Sequence, residues 1–469
     1  MSNMTDRIEP PVRIGVLGMG RAFTLMVPTF LGDPRVRLVA AFDPRPGARQ
    51  AFEREFGGRA MLDPQSVCAD PDVEWVYVAT PHQMHAEHVR LAAAHGRHVI
   101  VEKPMALTLA DCDAMIAACE RAGVQLIVGH SHSHNAPVRL ALSLIRQGRI
   151  GRVRMVHAMQ FTDFLYRPRR PEELDTAQGG GVAFSQAAHQ LDIVRLLAGG
   201  RIRSVRAAAG RWDPARPTEG AYSALLFFED GAFASVTYNG YGFFDTDTMM
   251  EGLGELGAPK APDAHRQTRA RLRAVADEAA EAALKAERNF GGSLWQRPAA
   301  GPPSAWQHFG PTLVCGELGD LRLTPNGVEL IDADGSQFIA AAQPVVPRSE
   351  VIDELWSAAR DAVPPLHDGR WSRATVEACL ALLESDRLGR DVGLRLQSAP
   401  ALPPLNASSD MRAVAVDSDT EGSDTAESGP AGSDSSQSDA SESRPTRSGA
   451  SQSTSARAPG SASSSQRPQ

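Results

Sequence analysis

Lys103 closes the run Val99-Ile100-Val101-Glu102-Lys103-Pro104, and it is the first residue of this chain placed to act on a bound molecule. A short β-branched apolar run reads as a buried strand of a parallel sheet covered on both faces. Pro104 ends its hydrogen-bond ladder and fixes the exit direction of the chain. In open α/β sheets the carboxyl ends of the strands form the ligand crevice, so Glu102 and Lys103 would border it. The plain alternative is a solvated lysine paired with its neighbour.

A second group with chemical potential follows Gly179-Gly180-Gly181. His189 and Asp192 stand three apart, hence side by side on one helical face. A carboxylate there would orient the imidazole and raise its basicity for proton abstraction, although His-x-x-Asp alone also serves structure. His130, His132 and His134 alternate, which places them on one face of an extended segment, a conceivable zinc arrangement. No carboxylate or cysteine lies near them in sequence and Pro137 signals a turn, so the expectation is no metal site, with His132 and His134 lining a substrate pocket. His82, His85 and His88 are expected to be packing or solvated histidines. Tyr166-Arg167-Pro168-Arg169-Arg170-Pro171 is a proline-stiffened basic loop. It reads either as a solvated connection or as a clamp in which Arg167 and Arg169 pair a substrate carboxylate.

The third group points to a nucleotide. Gly18-Met19-Gly20 lies between an apolar strand and a helix that opens at Arg21 and Ala22. The first glycine permits the tight turn, and the second lets backbone N–H groups approach a pyrophosphate. Phe23 occupies the place of the third glycine. Asp43 ends the second strand, where a carboxylate accepts from a ribose 2′-OH and favours NAD; Arg45 leaves NADP open. Thr80-Pro81 and Glu102 end neighbouring strands and complete the expected cofactor groove.

The elements that must position these groups alternate. Strands at 12–17, 36–42, 75–79, 98–101 and 125–128 are separated by helices at 21–31, 46–56, 85–95 and 109–122, which demands a doubly wound parallel sheet over residues 1–130. Beyond 131 a helix at 137–147 leads to strands at 153–161, 202–211, 221–229, 232–238, 313–315, 320–324 and 328–331, with turn residues between several of them. Helices at 351–362 and 373–387 follow, so 131–400 reads as an α+β domain with an antiparallel sheet. Within it, 252–303 reads as an insertion built on one amphipathic helix, 265–288, with Leu272, Val275, Ala276, Ala279 and Ala283 on its apolar side. Residues 401–469 are Ser- and Asp-rich with almost no core-forming side chains, and are expected to be disordered.

The net charge of −8 offers no reason to expect nucleic acid or an anionic membrane as partner. Five scattered cysteines suit a reducing cytoplasm better than a disulfide frame. Neither a signal peptide nor an apolar run of bilayer length is evident.

Taken together, Gly18-x-Gly20, Asp43, Thr80-Pro81, Glu102-Lys103-Pro104 and His189-x-x-Asp192 resemble the glucose–fructose oxidoreductase/inositol dehydrogenase (Gfo/Idh/MocA) family, over about residues 12–397. Within it, residues 167–181 and 367–390 are most similar to the phthalate 4,5-cis-dihydrodiol dehydrogenases. The resemblance implies a Rossmann domain, an open antiparallel sheet used for oligomerisation (a dimer or tetramer), and Lys103, His189 and Asp192 in the active site. Ser185 stands where the family commonly has Asp, which puts a role at that position in doubt. The reading is an NAD-dependent dehydrogenase of aromatic-compound catabolism, oxidising a cyclic cis-dihydrodiol carboxylate to a catechol. The alternatives are a sugar or inositol dehydrogenase, or a nucleotide-binding regulator without turnover.

Overall fold

The computed structural model describes residues 9–298 and 301–402. The expectation of a disordered tail falls, apart from its first two residues, outside them.

The alternating segments form six parallel strands: β1 (Val12–Leu17), β2 (Val36–Phe42), β3 (Arg59–Met61), β4 (Trp75–Val78), β5 (His98–Glu102) and β6 (Leu126–Gly129). Their order in the sheet is β3-β2-β1-β4-β5-β6, with every neighbouring pair parallel. The reversal of order beside β1 creates the crevice that the Gly18 turn and Lys103 border. Helices α1 (Arg21–Gly32) and α2 (Pro46–Phe56) cover one face. Helices α3 (Pro64–Ala69), α4 (His85–Ala94) and α5 (Leu109–Ala122) cover the other. β3 and α3 escape the sequence reading because three and six residues are too few to show a period.

After β6 come α6 (Ala136–Arg146), β7 (Val153–Phe161), α7 (Ala188–Leu197), β8 (Ile202–Gly210), β9 (Ala221–Phe228) and β10 (Phe233–Asn239). Next are α8 (Ala264–Arg273), α9 (Glu278–Glu287), β11 (Thr312–Gly316), β12 (Gly319–Thr324), β13 (Gly327–Asp332) and β14 (Gly335–Ala340), and finally α10 (Ser349–Arg360), α11 (Gly369–Leu388) and β15 (Val392–Gly393). Nine of these strands form one sheet, β14-β13-β12-β11-β7-β10-β9-β8-β15. It is antiparallel except where β10 runs parallel to β7. α6, α7 and α11 bury its inner face. Its outer face shows Leu225, Phe233, Leu313, Ile331 and Phe338 to solvent.

One expectation needs correction. Residues 265–288 are not one helix: the chain breaks after α8, and Asp277 caps α9 by accepting from Ala280 N–H. Such a cap starts a helix afresh. The buried side of α9 carries Glu281, while Ala279 and Ala283 are exposed. The region expected as an insertion packs on the Rossmann core. Phe290 is fully buried among Phe23, Phe56 and Trp295 against the Rossmann sheet, and its N–H donates to Thr24 Oγ1 at 2.8 Å. Val351, Ile352 and Leu355 of α10 join the same core, so the packing does not follow the expected boundary at residue 130. Among the described residues no helix is long and apolar enough to cross a membrane.

Candidate active site

At the carboxyl end of β5, Lys103 turns into a cavity of about 510 Å³. Its Nζ donates to Ser185 O at 2.7 Å, which fixes the ammonium beside the segment that carries His189. Burial lowers the Lys103 pKa to about 8, against the raising influence of Glu102 and Glu255. Glu102 accepts from Tyr77 Oη at 2.6 Å.

The approach to His189 is set by the triple glycine. Gly181 has φ +74°, and a Cβ there would lie 2.2 Å from Glu219 Oε1; that same oxygen accepts from Ala183 N–H at 3.0 Å. A π-helical turn, Ala183–Ala187, then leads into α7, a local unwinding common at functional sites. His189 reaches the cavity with its ring 4.5 Å from that of His132 and 5.3 Å from that of Phe309. Burial, then Lys103 and His132, push its pKa well below the usual imidazole value, so it is neutral at pH 7.

Asp192 does not orient His189. Its Oδ1 accepts from Trp371 Nε1 at 2.7 Å and Thr375 Oγ1 at 3.3 Å. Its Oδ2 faces His367 Nε2 at 3.5 Å and His130 Nδ1 at 3.8 Å. The three-residue spacing holds, but α11 supplies partners that sequence distance conceals. His134 is likewise outside the cavity. Its Nε2 meets Glu354 Oε2 at 2.8 Å, and His367 Nδ1 meets the same oxygen at 3.0 Å. A carboxylate does therefore join the histidines, from α10. The three ligand-type atoms lie within 4.8 Å of one another, and the two imidazoles share one carboxylate oxygen. His367 is fully buried between Glu354 and Asp192, and these anions overcome desolvation to raise its pKa to about 9.

Of the remaining expected substrate residues, His132 lines the cavity and sits 3.5 Å from Glu255 Oε1. Arg167 and Arg169 line it too, but already have partners. Arg167 Nε donates to Asp163 Oδ1 at 2.9 Å, and its Nη1 lies 3.8 Å from Glu255. Arg169 stacks 3.6 Å over the Phe164 ring and donates to Phe164 O at 2.6 Å. His82, expected to pack or be solvated, also reaches the cavity, with Nδ1 3.1 Å from Gly179 O. His85 is a buried packing histidine between Pro104 O and Thr80 O. Thr80 Oγ1 meets His88 Nδ1 at 3.0 Å.

The sequence reading missed Glu255, Lys285 and Arg348 in the wall, and Phe309, whose ring packs against those of His132 and His189. They lie in connections without periodicity, so no pattern marks them. His367 did carry a signal, because it opens one of the two stretches that resemble the dihydrodiol dehydrogenases.

The glycine turn fits a dinucleotide. Gly18 has φ +87°, and a Cβ there would press on Ala79 O at 2.8 Å and Thr80 Cα at 3.0 Å. At Gly20, which caps α1, a Cβ would meet nothing within 4 Å, leaving open space before the helix N-terminus for a pyrophosphate. Arg21 and Ala22 continue into the cavity. Pro81 follows Thr80 beside this turn. Asp43 and Arg45 are joined rather than being rival readers of the ribose. Asp43 Oδ2 accepts from Met19 N–H at 2.7 Å, and Oδ1 accepts from Arg45 Nε at 2.9 Å.

Models of two families match the chain: an oxidoreductase family with an NAD-binding Rossmann fold over residues 12–130, and a GFO/IDH/MocA C-terminal domain over residues 138–258. A Comamonas testosteroni protein, 1-carboxy-3-chloro-3,4-dihydroxycyclohexa-1,5-diene dehydrogenase, is 48% identical over 380 residues, spanning 80% of this chain and 95% of that one. The crystal structure of a putative dehydrogenase from Bordetella bronchiseptica RB50 superposes with TM-score 0.76 at 42% identity, covering 82% of this chain and all of that one. Levoglucosan dehydrogenase in complex with NADH and levoglucosan shares the fold at TM-score 0.62 and 18% identity, with 82% of this chain and 99% of that one covered. The chain belongs to the Gfo/Idh/MocA oxidoreductase family and is an NAD(P)-dependent dehydrogenase of that type.

Two outcomes follow from this geometry. His367 has a raised pKa when folded, so its stabilising effect is complete below about pH 6.5 and is lost as pH rises through about 9. Replacing it (His367→Gln) should cost about 3–5 kcal/mol at pH 6, and denaturant titrations should show that gap shrinking towards pH 9.5. At the cofactor end, Arg45→Ala frees the Asp43 carboxylate and should widen the kcat/KM preference for NAD over NADP. Asp43→Ala should narrow it, and the opposite pattern would show that the pair does not read the ribose.

Proposed function

We propose that this chain oxidises a cyclic cis-dihydrodiol bearing a carboxylate to the corresponding catechol. The observation that carries this reading is the cavity itself. Eight cationic side chains and three carboxylates line it, and Lys103 and His189 both stand in its wall. The cofactor's phosphates would account for Arg21; a neutral sugar or inositol gives no reason for the excess of positive charge that is left, whereas an anionic ring does. The Comamonas relative, whose name specifies a carboxylated dihydroxycyclohexadiene, supports the same substrate class.

NAD, when bound, supplies the hydride acceptor. Gly20, Arg21 and the start of α1 would hold its pyrophosphate, with the Asp43–Arg45 pair at the ribose. The carbinol C–H leaves as hydride and the hydroxyl proton passes to a base; the ketone so formed tautomerises to the catechol, and aromatisation drives the sequence forward. We assign the proton to Lys103, since a base with a pKa near 8 is matched to the working pH and Ser185 O holds it in place. The sequence reading gave this role to His189 oriented by Asp192. With Asp192 engaged elsewhere and the imidazole weakly basic, His189 serves as a neutral hydrogen-bond partner of the reacting oxygen. Lys103 and His189 also count against a regulator without turnover.

NADH absorbance should rise with a carboxylated cis-dihydrodiol and much less with myo-inositol or glucose; equal rates on the neutral polyols would reject the substrate class. Because the neutral amine is required, kcat/KM for oxidation should climb through about pH 8 and then level. Lys103→Ala should lower kcat by roughly 10²–10⁴ and abolish that limb. A profile flat from pH 7 to 9 would return the proton to His189.

We further propose that the apolar outer face of the nine-stranded sheet pairs with a second copy, since exposed apolar patches of this kind mark association surfaces. Sedimentation should show an oligomer, and Phe338→Glu with Leu313→Glu should dissociate it. An unchanged sedimentation coefficient places the interface elsewhere.

A further inference from the structure

Arg348 is the cation in the cavity wall that the described residues leave without a partner. The residue is 7% exposed, its Nε is buried without a hydrogen bond, and no carboxylate of the described residues lies within ion-pair distance. Its enclosed neighbours differ: Arg167 is held by Asp163 and Glu255, Lys285 by Glu173, Lys103 by Ser185 O, and Arg169, whose Nε is also buried without a hydrogen bond, by Phe164 O and Glu173. Arg271 and Arg288 are exposed, so water solvates them; Arg21, exposed but partly desolvated, stands at the start of α1, where the proposed cofactor pyrophosphate would meet it.

A buried guanidinium without a carboxylate in contact is costly; the buried Glu350 carboxyl, two residues on, acts on it only from beyond ion-pair distance, and other cations line the same cavity. Its charge contributes to lowering the pKa of Lys103, His132 and His189, which places it among the groups proposed to face the substrate. Its backbone is fixed. Pro347 O accepts from Thr29 Oγ1 at 2.5 Å, and Val346 packs where a side chain on Gly32 would sit. Arg348 itself has φ +58° at the start of α10, a left-handed conformation that glycine holds without steric cost. A long side chain kept there against that preference points to a function for the side chain.

We propose that Arg348 is the residue that reads the substrate carboxylate, pairing it through two parallel N–H···O bonds. It takes the place of the Arg167–Arg169 clamp expected from the sequence, whose members are already paired. This rests on the dehydrogenase reading for the identity of the anion, but not for the existence of the site.

The test uses the full chain loaded with NADH and does not require turnover. Calorimetric titration compares 3,4-dihydroxybenzoate with catechol, which differ by the carboxylate alone. Wild type should bind the acid more tightly. Arg348→Gln should weaken the acid roughly 30-fold or more while leaving catechol within about threefold, as expected when a buried charge pair loses a partner. Arg348→Lys, which keeps the charge but not the fork, should fall between. Kinetics supply the second arm: KM for the carboxylated diol should rise with KM for NAD unchanged. If acid and catechol weaken alike, or if KM for NAD rises instead, Arg348 serves the fold or the cofactor phosphates and the proposal fails. Should Arg348→Gln not fold, equal binding of acid and catechol by Arg348→Lys and wild type would reject it equally. Discrimination by carboxylate without oxidation of any diol would uphold Arg348 and overturn the dehydrogenase substrate.

Discussion

Two buried carboxylates, Asp192 and Glu354, converge on the buried imidazole of His367, and the site is built outward from that cluster. Charges taken out of water persist only when they are paired and hydrogen-bonded, so each member constrains the element that carries it. Asp192 comes from α7, Glu354 from α10, and His367 from the turn before α11. Ser133, from the segment after β6, completes it with Oγ 2.8 Å from His367 Nε2. Arg195 extends the cluster: it lies 3.9 Å over the Trp371 ring and donates to Thr375 Oγ1 at 2.6 Å. The same segment after β6 is thereby held with His134 in the cluster and His132 in the cavity. His-x-x-Asp thus divides its labour, one residue facing the cavity and the other fastening the helix.

The cavity poses the opposite electrostatic problem. Positive charge is in excess there, and most of the enclosed cations are offset one by one. Glu255, pushed low despite its burial by His132 and by Arg167, holds both of them. Glu173 holds Lys285 across from the loop that carries Arg169. Lys103 has only a backbone carbonyl, so burial acts on it with little relief and brings its pKa towards the working range. In the proposed mechanism it is desolvation that makes this lysine a usable base.

The region after β10 shows how a wall can be made from a connection. α8 is moored by Arg269, which donates to Gly242 O and Tyr241 O at 2.9 and 2.6 Å. α9 is moored by Glu281, which accepts from Arg216 at 2.9 Å and from Arg169 N–H at 2.7 Å. Phe290 then enters the Rossmann core. Anchored at both ends, the region contributes Leu272, Leu284 and Lys285 to the cavity and narrows its access to water.

How much of this was legible depended on how far apart in sequence the interacting groups lie. The strands and helices of the parallel sheet were readable because period, caps and glycine turns are local: α5 runs from Leu109 to Ala122 as expected, between the Thr108 cap and left-handed Gly123. Gly18, Gly20 and Lys103 were readable because each acts at a strand end. The partners of Asp192 and His134, and the second partner of Arg167 beyond nearby Asp163, were not, since they arrive from residues 371, 354 and 255, and no periodicity links such positions. Local spacing therefore determined the Rossmann frame and the placing of Lys103 and His189, which both line the cavity. Tertiary packing decided which carboxylate pairs with which cation, because burial makes every charge answer to whatever lies within a few ångströms.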